Sequence, residues 1–459
     1  MAFQTSPLVF KVRRHSPELV APAKPTPREL KVLSDLDSQA GTRFHISLVF
    51  FYPSSSSSVG GKKDPVAVIR EALAKTLVFY YPFAGRVRES SNGKLMVDCT
   101  GEGVIFVGAD ADVTLDQFGK DLHPPFPCFE ELLYNVDGSD GIIDCPLILI
   151  QVTRVICGGF IFAIHFNHTM CDATGISLFL KGLGEIACGA SNPSVLPVWH
   201  RELLCARDPP RVTFIHHEYQ QLSLENKSTP IPHHRSFFFG PKEIAAIRSL
   251  LPYHLANKST SIEVLTAFLW RCRTIALQWK NPNQEVYLLG IVNARYGQCS
   301  FNPPLPDGYY GNAFVSPAAI TTVGKLCSQP LGYALELVKK AKNEANEEYV
   351  HSVTDLMVIN ERRPRLVSFG EGSLAVLEVS DLTKAGYKDV NFGWGKALYA
   401  GVPESYILTI FCVPYTNSKG EQGRLAVCCL PEEVMERFAE ELDNLIKIKN
   451  ESKIFMSNL

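Results

Sequence analysis

A histidine and an aspartate four residues apart are the side chains of this sequence best suited to acid–base chemistry. His168 and Asp172 lie in a polar segment, residues 167–172, that follows an apolar run. A neutral imidazole facing a cleft can accept a proton from an alcohol or an amine, and an ordered carboxylate nearby can hold its tautomer or its loop. The spacing alone equally allows a buried histidine with a structural role, because titratable residues also form structural networks.

Two further strings are unusual. The first contains two glycines and two aromatic residues in close succession; its residues are Asn391, Phe392, Gly393, Trp394 and Gly395. Taken alone, it indicates a glycine-bent turn with buried rings. The second is Arg295, which follows a predicted buried strand and needs an anionic partner, for which Asp172 is one candidate.

The elements that must position His168 are predicted from hydrophobic patterning. Apolar runs rich in β-branched residues at 147–155 and 160–166 predict two buried strands, and a helix is predicted over 173–187. This order places His168 at the carboxyl end of a strand, where ligands of α/β proteins usually bind.

The second half of the chain has its own start signal. Thr260 and Glu263 form a predicted capping box at the start of an apolar helix. The first backbone N–H groups of this helix point out of its N-terminus, towards any group that lies in front of it. A strand over 286–294, a helix over 331–347 and a final helix over 431–447 are predicted to complete this half.

Length, charge and cysteine content limit the possible classes. The chain has 459 residues, with 45 basic and 47 acidic side chains and a net charge of −2, which argues against electrostatic binding to nucleic acid or to an anionic membrane. The length favours two domains, at 1–190 and 236–459, joined by a proline-rich crossover at 191–235. The thirteen cysteines show no C-x-x-C spacing, so neither a zinc site nor a disulfide framework is expected.

These strings together, in this order and at these separations, resemble the plant BAHD acyl-CoA-dependent acyltransferases. That family carries an H-x-x-x-D motif in mid-chain and a D-F-G-W-G motif near the C-terminus, here His168 to Asp172 and Asn391 to Gly395. Longer strings resemble its volatile-ester branch, with benzyl alcohol O-benzoyltransferases closest and fruit alcohol acetyltransferases next; they include PAKPTPRE, LMVDCTGEG, DCPLILIQVT and GYYGNAF.

The resemblance implies an α/β protein with a two-domain, chloramphenicol-acetyltransferase-like fold. Each domain is then a mixed β-sheet flanked by helices, and a channel runs between the domains. By the same resemblance His168 is the general base, no acyl-enzyme forms, and Asp172 turns away from the channel to pair with an arginine, here Arg295. The loop from Asn391 to Gly395 is expected to be structural, although Asn391 stands where the family has Asp and therefore lacks a charge.

Other contacts are carried over with the resemblance. Ser380, eleven positions before Asn391, is expected to contact the reacting carbonyl. Leu382 stands where the hydroxycinnamoyltransferases have a tryptophan, so their acceptor contacts cannot be transferred. Coenzyme A phosphates are expected at the start of the capped helix, and a plain capped helix is the alternative reading of these residues, which are Lys258, Ser259, Thr260 and Ser261.

The expected reaction is transfer of the acyl group of benzoyl-CoA to benzyl alcohol, giving benzyl benzoate and CoA. An acetyl-CoA alcohol acetyltransferase, a catalytically silent acyl-CoA-binding relative and a hydrolase are the alternatives. We expect a monomer whose partners are an acyl-CoA co-substrate and a small alcohol, without cofactor, metal, nucleic acid or membrane. The last three residues, Ser457, Asn458 and Leu459, resemble a peroxisomal address, and the alternative is a frayed tail on a cytosolic protein.

Overall fold

The computed structural model describes residues 8–54, 63–133, 135–139, 141–219, 231–361 and 374–456. The tripeptide at 457–459 lies outside these residues. Strands and helices of the described residues are numbered here in chain order.

The strands are β1 (Val12–Arg14), β2 (Glu18–Val20), β3 (Leu30–Val32), β4 (His45–Tyr52), β5 (Arg86–Glu89), β6 (Leu95–Asp98), β7 (Val104–Ala111), β8 (Ile148–Val155), β9 (Phe160–Asn167), β10 (Pro232–Phe239), β11 (Glu285–Gly290), β12 (Val292–Asn293), β13 (Phe314–Val315), β14 (Ala318–Thr322), β15 (Val376–Asp381), β16 (Tyr399–Gly401), β17 (Thr409–Thr416) and β18 (Gln422–Pro431).

The helices are α1 (Asp35–Ser38), α2 (Pro65–Phe79), α3 (Phe129–Leu132), α4 (Ala173–Ala187), α5 (Pro241–Arg248), α6 (Tyr253–Lys258), α7 (Ser261–Ala276), α8 (Val323–Ser328), α9 (Leu331–Glu344), α10 (Glu347–Ile359) and α11 (Glu432–Met456). None of the helices in the described part of the chain is long and apolar enough to cross a membrane.

Two large mixed sheets organise the chain. The first has the strand order β1-β7-β8-β9-β4-β16, with β2 also pairing with β7, and its only parallel pair among these strands is β7 with β8. The second has the order β10-β18-β17-β15-β11-β14, and β15 lies parallel to both of its neighbours. One strand from late in the chain, β16, therefore completes the sheet built by the first half.

Each sheet packs against helices through an apolar core. In the first, α2 and α4 cover the sheet with side chains such as Leu73 and Phe179. In the second, α5, α7, α9 and α11 cover one face, with Phe268 and Phe438 among the buried rings. The opposite face of β17 and β18 joins the first core through Phe411 and Val427, so the two halves share a continuous packed region.

Local signals set the helix starts. The Asp64 carboxylate accepts a hydrogen bond from the backbone N–H of Val66 at 3.2 Å, with proline at the first helical position of α2. The predicted helix over 173–187 is confirmed at both ends by α4, and the predicted strands at 147–155 and 160–166 are confirmed within one residue by β8 and β9.

Three predicted boundaries in the second half were wrong. The run 286–294 is two strands, because β11 ends at Gly290 and β12 leaves that sheet to pair with β13. The helix predicted to reach 347 ends at Glu344, because the side chain of Asn346 accepts from the backbone N–H of Tyr349 and starts α10. The last helix runs nine residues further than predicted, to Met456.

Candidate active site

A cavity of about 770 Å³ lies between the two large sheets. Its wall contains residues of the first sheet and of the second, including Leu48 of β4, Leu288 of β11 and Ser380 of β15. His168 also lines it, at the turn that joins β9 to α4. A cavity of this volume can hold a small organic substrate.

The turn that carries His168 is held by hydrogen bonds at both ends. The backbone N–H of His168 donates to the carbonyl of Phe44 at 2.9 Å, which ties the turn to the start of β4. The side-chain oxygen of Asn167 accepts from the backbone N–H and the hydroxyl of Thr169, at 3.0 and 2.6 Å. The imidazole packs against the rings of Phe44 and Phe314, with centroid distances of 5.1 and 5.9 Å. The local sequence therefore fixes the backbone, and long-range packing fixes the ring.

The environment of His168 favours a neutral ring with one available nitrogen. The residue is 9% exposed, and its Nδ1 is buried without a hydrogen bond of good geometry, so Nε2 is the nitrogen left to face the cavity. Burial lowers the pKa of His168, although its own backbone carbonyl and the charge of Asp172 act in the opposite direction. A neutral imidazole at neutral pH can accept a proton from a bound hydroxyl group.

Asp172 borders the cavity, but both of its carboxylate oxygens are occupied by other groups of the protein. Arg295 binds it in a two-pronged ion pair, with Nη1 at 2.7 Å from Oδ2 and Nη2 at 3.1 Å from Oδ1. The backbone N–H groups of Gly175 and Ala313 each donate to it at 2.9 Å. The pairing with Arg295 suggested by the resemblance is therefore present, and the same carboxylate caps α4.

The ionised state of Asp172 follows from these contacts. Burial disfavours the carboxylate, but the charge of Arg295 and the hydrogen bonds outweigh it and lower the pKa of Asp172. The ion pair joins the His168 turn to the strand end at Asn293 and Arg295 in the other half of the chain.

Ser380 lies on the face of β15 that borders the cavity. It is buried, and in the backbone register it stands opposite Phe411 of β17, which also lines the cavity. Its neighbours Leu377 and Val379 belong to the helix-covered core of the second sheet. Alternation along the strand thus turns the hydroxyl of Ser380 away from that core.

The loop from Asn391 to Gly395 is a turn packed against the first half. The side-chain oxygen of Asn391 accepts from the backbone N–H groups of Gly393 and Gly395, both at 2.9 Å. The rings pack on β9, with Phe392 at 4.9 Å from Phe162 and Trp394 at 5.2 Å from Phe160.

None of these five residues is among the described residues that line the cavity. Asn391, which lacks the charge of the aspartate that the resemblance expects, makes its contacts with backbone N–H groups, which an uncharged side chain also satisfies.

Comparison with known proteins identifies the family. The family model described as "Transferase family" matches residues 10–445. The chain belongs to the BAHD acyltransferases. The acyltransferase is 64% identical over 460 residues to a 13-hydroxylupanine O-tigloyltransferase of Lupinus albus, with all of both chains covered. It is 57% identical to a benzyl alcohol O-benzoyltransferase of Petunia hybrida, over 97% of this chain and 95% of that one. It is 51% identical to alcohol acyl transferase 1 (allele GSa) of Malus domestica, over 95% and 94%.

Solved structures show the same fold at much lower identity. Vinorine synthase matches with a TM-score of 0.73 and 21% identity, over 95% of this chain and 98% of that one. TRI101 of F. graminearum, complexed with coenzyme A and T-2 mycotoxin, matches with a TM-score of 0.69 and 17% identity, over 89% and 96%. The fold expected from the resemblance is confirmed. The full-length relatives make this protein an acyl-CoA-dependent O-acyltransferase.

The acyltransferase also contains a buried network that the sequence analysis missed. Asn312 donates from Nδ2 to the His168 carbonyl at 2.8 Å and to Asp37 at 2.7 Å. Arg201, only 1% exposed, donates to Asp37 at 3.0 Å and to the carbonyl of Met170 at 2.8 Å. The capping box of Ser34 and Asp37 is a readable signal, but it reveals none of these distant partners.

A second missed residue is Glu378, an acid in an otherwise apolar strand. It is 8% exposed and lines the cavity two positions before Ser380. The hydroxyl of Thr409 donates to its Oε2 at 3.2 Å. Burial raises the pKa of Glu378 to about 7, and the Thr409 hydrogen bond partly opposes this. The visible signal was a charged residue between Leu377 and Val379.

The residues predicted to meet coenzyme A cluster beside the cavity rather than in its wall. Thr260 caps α7 with the predicted box, in which Glu263 accepts from the Thr260 N–H at 2.9 Å. Lys339 donates to the carbonyl of Lys258 and to the hydroxyl of Ser259. Lys258 to Ser261 do not line the cavity, whereas the next two residues of α7 do. Their contact with coenzyme A stays a prediction.

Proposed function

We propose that His168 is the general base of a direct acyl transfer. Its Nε2 takes the proton of the acceptor hydroxyl while the oxygen attacks the thioester carbonyl carbon. The tetrahedral intermediate then collapses, the carbon–sulfur bond breaks, and the imidazolium returns the proton to the departing CoA thiolate. The observation that carries this proposal is the neutral, buried imidazole whose one available nitrogen faces a substrate-sized cavity.

Ser380 is proposed to stabilise the oxyanion of the intermediate. Its hydroxyl lies in the same cavity as His168 and is turned away from the apolar core. A hydroxyl that donates to developing negative charge lowers the barrier, since such donors act in a site from which water is largely excluded.

For the substrates, we propose benzoyl-CoA and benzyl alcohol, with benzyl benzoate as the product. Aromatic and aliphatic side chains of the cavity, including Phe44, Phe314 and Leu382, suit two small aromatic groups. The benzoyltransferases of Petunia hybrida and Nicotiana tabacum, at 57% and 56% identity, support this pair.

A second candidate pair is a tigloyl donor with a hydroxylated alkaloid as acceptor. It is supported by the relative of Lupinus albus, which is 64% identical over its full length. An acetyl-CoA alcohol acetyltransferase, a silent acyl-CoA-binding protein and a hydrolase complete the alternatives. All of these use the same cavity and differ in the donor, the acceptor or the presence of turnover.

The test is CoA thiol release by the purified protein, with benzoyl-CoA, tigloyl-CoA or acetyl-CoA, each with and without benzyl alcohol, and with products identified by mass. The variant His168→Ala is compared with His165→Ala. His165 lies on the preceding strand β9, its Nδ1 is 3.0 Å from the hydroxyl of Ser47, and it does not line the cavity. We expect His168→Ala to lose a factor of roughly 10²–10⁴ in rate and to keep its fold.

The outcomes separate the alternatives. Alcohol-dependent release that is lost only in His168→Ala supports the proposal and ranks the donors. Release without alcohol indicates a hydrolase, and binding without release indicates a silent relative. Full activity in a folded His168→Ala protein contradicts the role of this histidine.

A further inference from the structure

Glu378 is a buried carboxyl group in the cavity wall that the proposed acyl transfer does not use. Its side chain lines the cavity together with Ser380, whereas Leu377 is buried in the helix-covered core and Val379 belongs to that core and also borders the cavity. Two residues along a strand span about 7 Å. When the reacting carbonyl lies near Ser380, a group separated from it by about the width of one small ring can therefore reach Glu378.

Three buried carboxylates of the described residues line this cavity, and two of them have cationic partners. Asp172 pairs with Arg295, and Glu263 pairs with Lys342 at 2.6 Å. For Glu378 no Lys, Arg or His of the described residues comes within ion-pair distance, and Thr409 is its hydrogen-bond donor.

An unpaired buried carboxylate is costly to ionise, as the raised pKa of Glu378 reflects. A positive group that enters the cavity offsets this cost, because the carboxylate then gains the partner that the protein does not supply. Charge-assisted hydrogen bonds of this kind are about twice as strong as neutral ones.

The cationic group must belong to the acceptor. Coenzyme A carries phosphates, and a carboxylate repels them. Its pantetheine arm is neutral, and the acyl groups considered above carry no charge. The acceptor is therefore the substrate that can bring a positive charge to Glu378 while its hydroxyl reaches His168.

We propose that Glu378 is a specificity-determining residue that binds a protonated amine on the acceptor, so that the enzyme prefers amino alcohols over neutral alcohols of the same shape. The inference rests on the proposed acyl transfer, because it places the acceptor in this cavity. It favours the second substrate pair over benzyl alcohol.

The experiment compares two acceptors that differ in charge alone. The probes are 4-(dimethylaminomethyl)benzyl alcohol and its neutral isostere 4-isobutylbenzyl alcohol, with benzoyl-CoA and tigloyl-CoA as donors. The tertiary amine forms no stable amide, so the product is an ester. We expect kcat/KM to be about 10- to 100-fold higher for the amine, and we expect Glu378→Gln to bring the ratio of the two kcat/KM values close to one.

The control is Glu285→Gln, which removes the same charge from an exposed position on the neighbouring strand β11. It should retain the preference, which excludes a general effect of net charge. Binding of both alcohols to the wild-type protein and to Glu378→Gln, measured by calorimetry without donor, gives a readout that does not depend on turnover.

Several results overturn the inference. Equal kcat/KM for the two alcohols in the wild-type protein contradicts the inference and leaves the proposed transfer intact. An unchanged preference for the amine in Glu378→Gln also contradicts the inference. If neither alcohol is acylated, the proposed function fails, and the calorimetric comparison of amine and isostere still decides whether Glu378 binds a cation. If Glu378→Gln does not fold, the wild-type comparison of the two probes decides.

Discussion

The ion pair between Asp172 and Arg295 is a positioning contact at the scale of single residues. Replacing Asp172 by Ala leaves the buried Arg295 charge without its partner and removes the cap of α4. Such a loss costs about 3–5 kcal/mol of unfolding free energy. We expect Asp172→Ala to lower the melting temperature markedly, as measured by circular dichroism or calorimetry, with loss of activity as a consequence.

A matched control exists on the surface. Asp389 lies 3.6 Å from Lys181, and both side chains are substantially exposed. Because exposed pairs contribute at most about 1 kcal/mol, Asp389→Ala should melt close to the wild-type protein. A melting curve of Asp172→Ala that matches the wild type, together with lost turnover, contradicts a structural role for Asp172.

Ser380 offers a second prediction at this scale. The variant Ser380→Ala removes one hydroxyl from the cavity and leaves the strand intact. If this hydroxyl stabilises the oxyanion, kcat should fall by roughly 10²-fold while the affinity for CoA changes little. The measurement is steady-state kinetics combined with CoA binding by calorimetry, and an unaltered kcat removes Ser380 from the mechanism.

At the scale of elements, the turn from Asn391 to Gly395 depends on one side chain. Asn391 accepts from two backbone N–H groups, and Gly393 and Gly395 have φ angles of 102° and 85°, a conformation that other residues rarely adopt. We expect Asn391→Ala to reduce the free energy of unfolding by about 1–2 kcal/mol, measured by urea denaturation.

Asn391→Asp is the conservative comparison. A carboxylate can accept the same two hydrogen bonds, and the position is exposed, so we expect near wild-type stability. Equal destabilisation by Ala and by Asp indicates that the two hydrogen bonds are not what maintains the turn.

At the scale of the whole molecule, the two halves of the chain depend on each other. Strand β16 pairs with β4, the Tyr52 hydroxyl donates to the carbonyl of Val390 at 2.9 Å, and Phe392 lies in the first core. A fragment of residues 1–235 exposes the edge of β4 and this apolar surface. We expect that fragment to be insoluble or unfolded when it is expressed alone.

Co-expression with residues 236–459 is the control, and it should restore soluble protein and acyl transfer. A stable, folded fragment 1–235 with native-like circular dichroism contradicts this interdependence.

The domain limits, the monomeric state and the peroxisomal address at 457–459 stay predictions. A fluorescent reporter ending in the last residues, with and without Leu459, tests the address in plant cells.

The sequence by itself determined the local frame of the active site. The ends of α4, the strands β8 and β9 and the capping boxes depend on hydrophobic period and on contacts between residues at most four apart, and such short-range signals can be read along the chain. The motifs around His168 and Asn391 also identified the family.

Only the tertiary structure decided which distant groups surround His168. Asp172 and Arg295 are 123 positions apart, and Asn312 and Asp37 are 275 apart. Glu378 lies in the cavity wall because β15 is placed, parallel to both neighbours, between β11 and β17. Contacts of this kind depend on strand order and register across the whole chain, and local propensity carries no information about either.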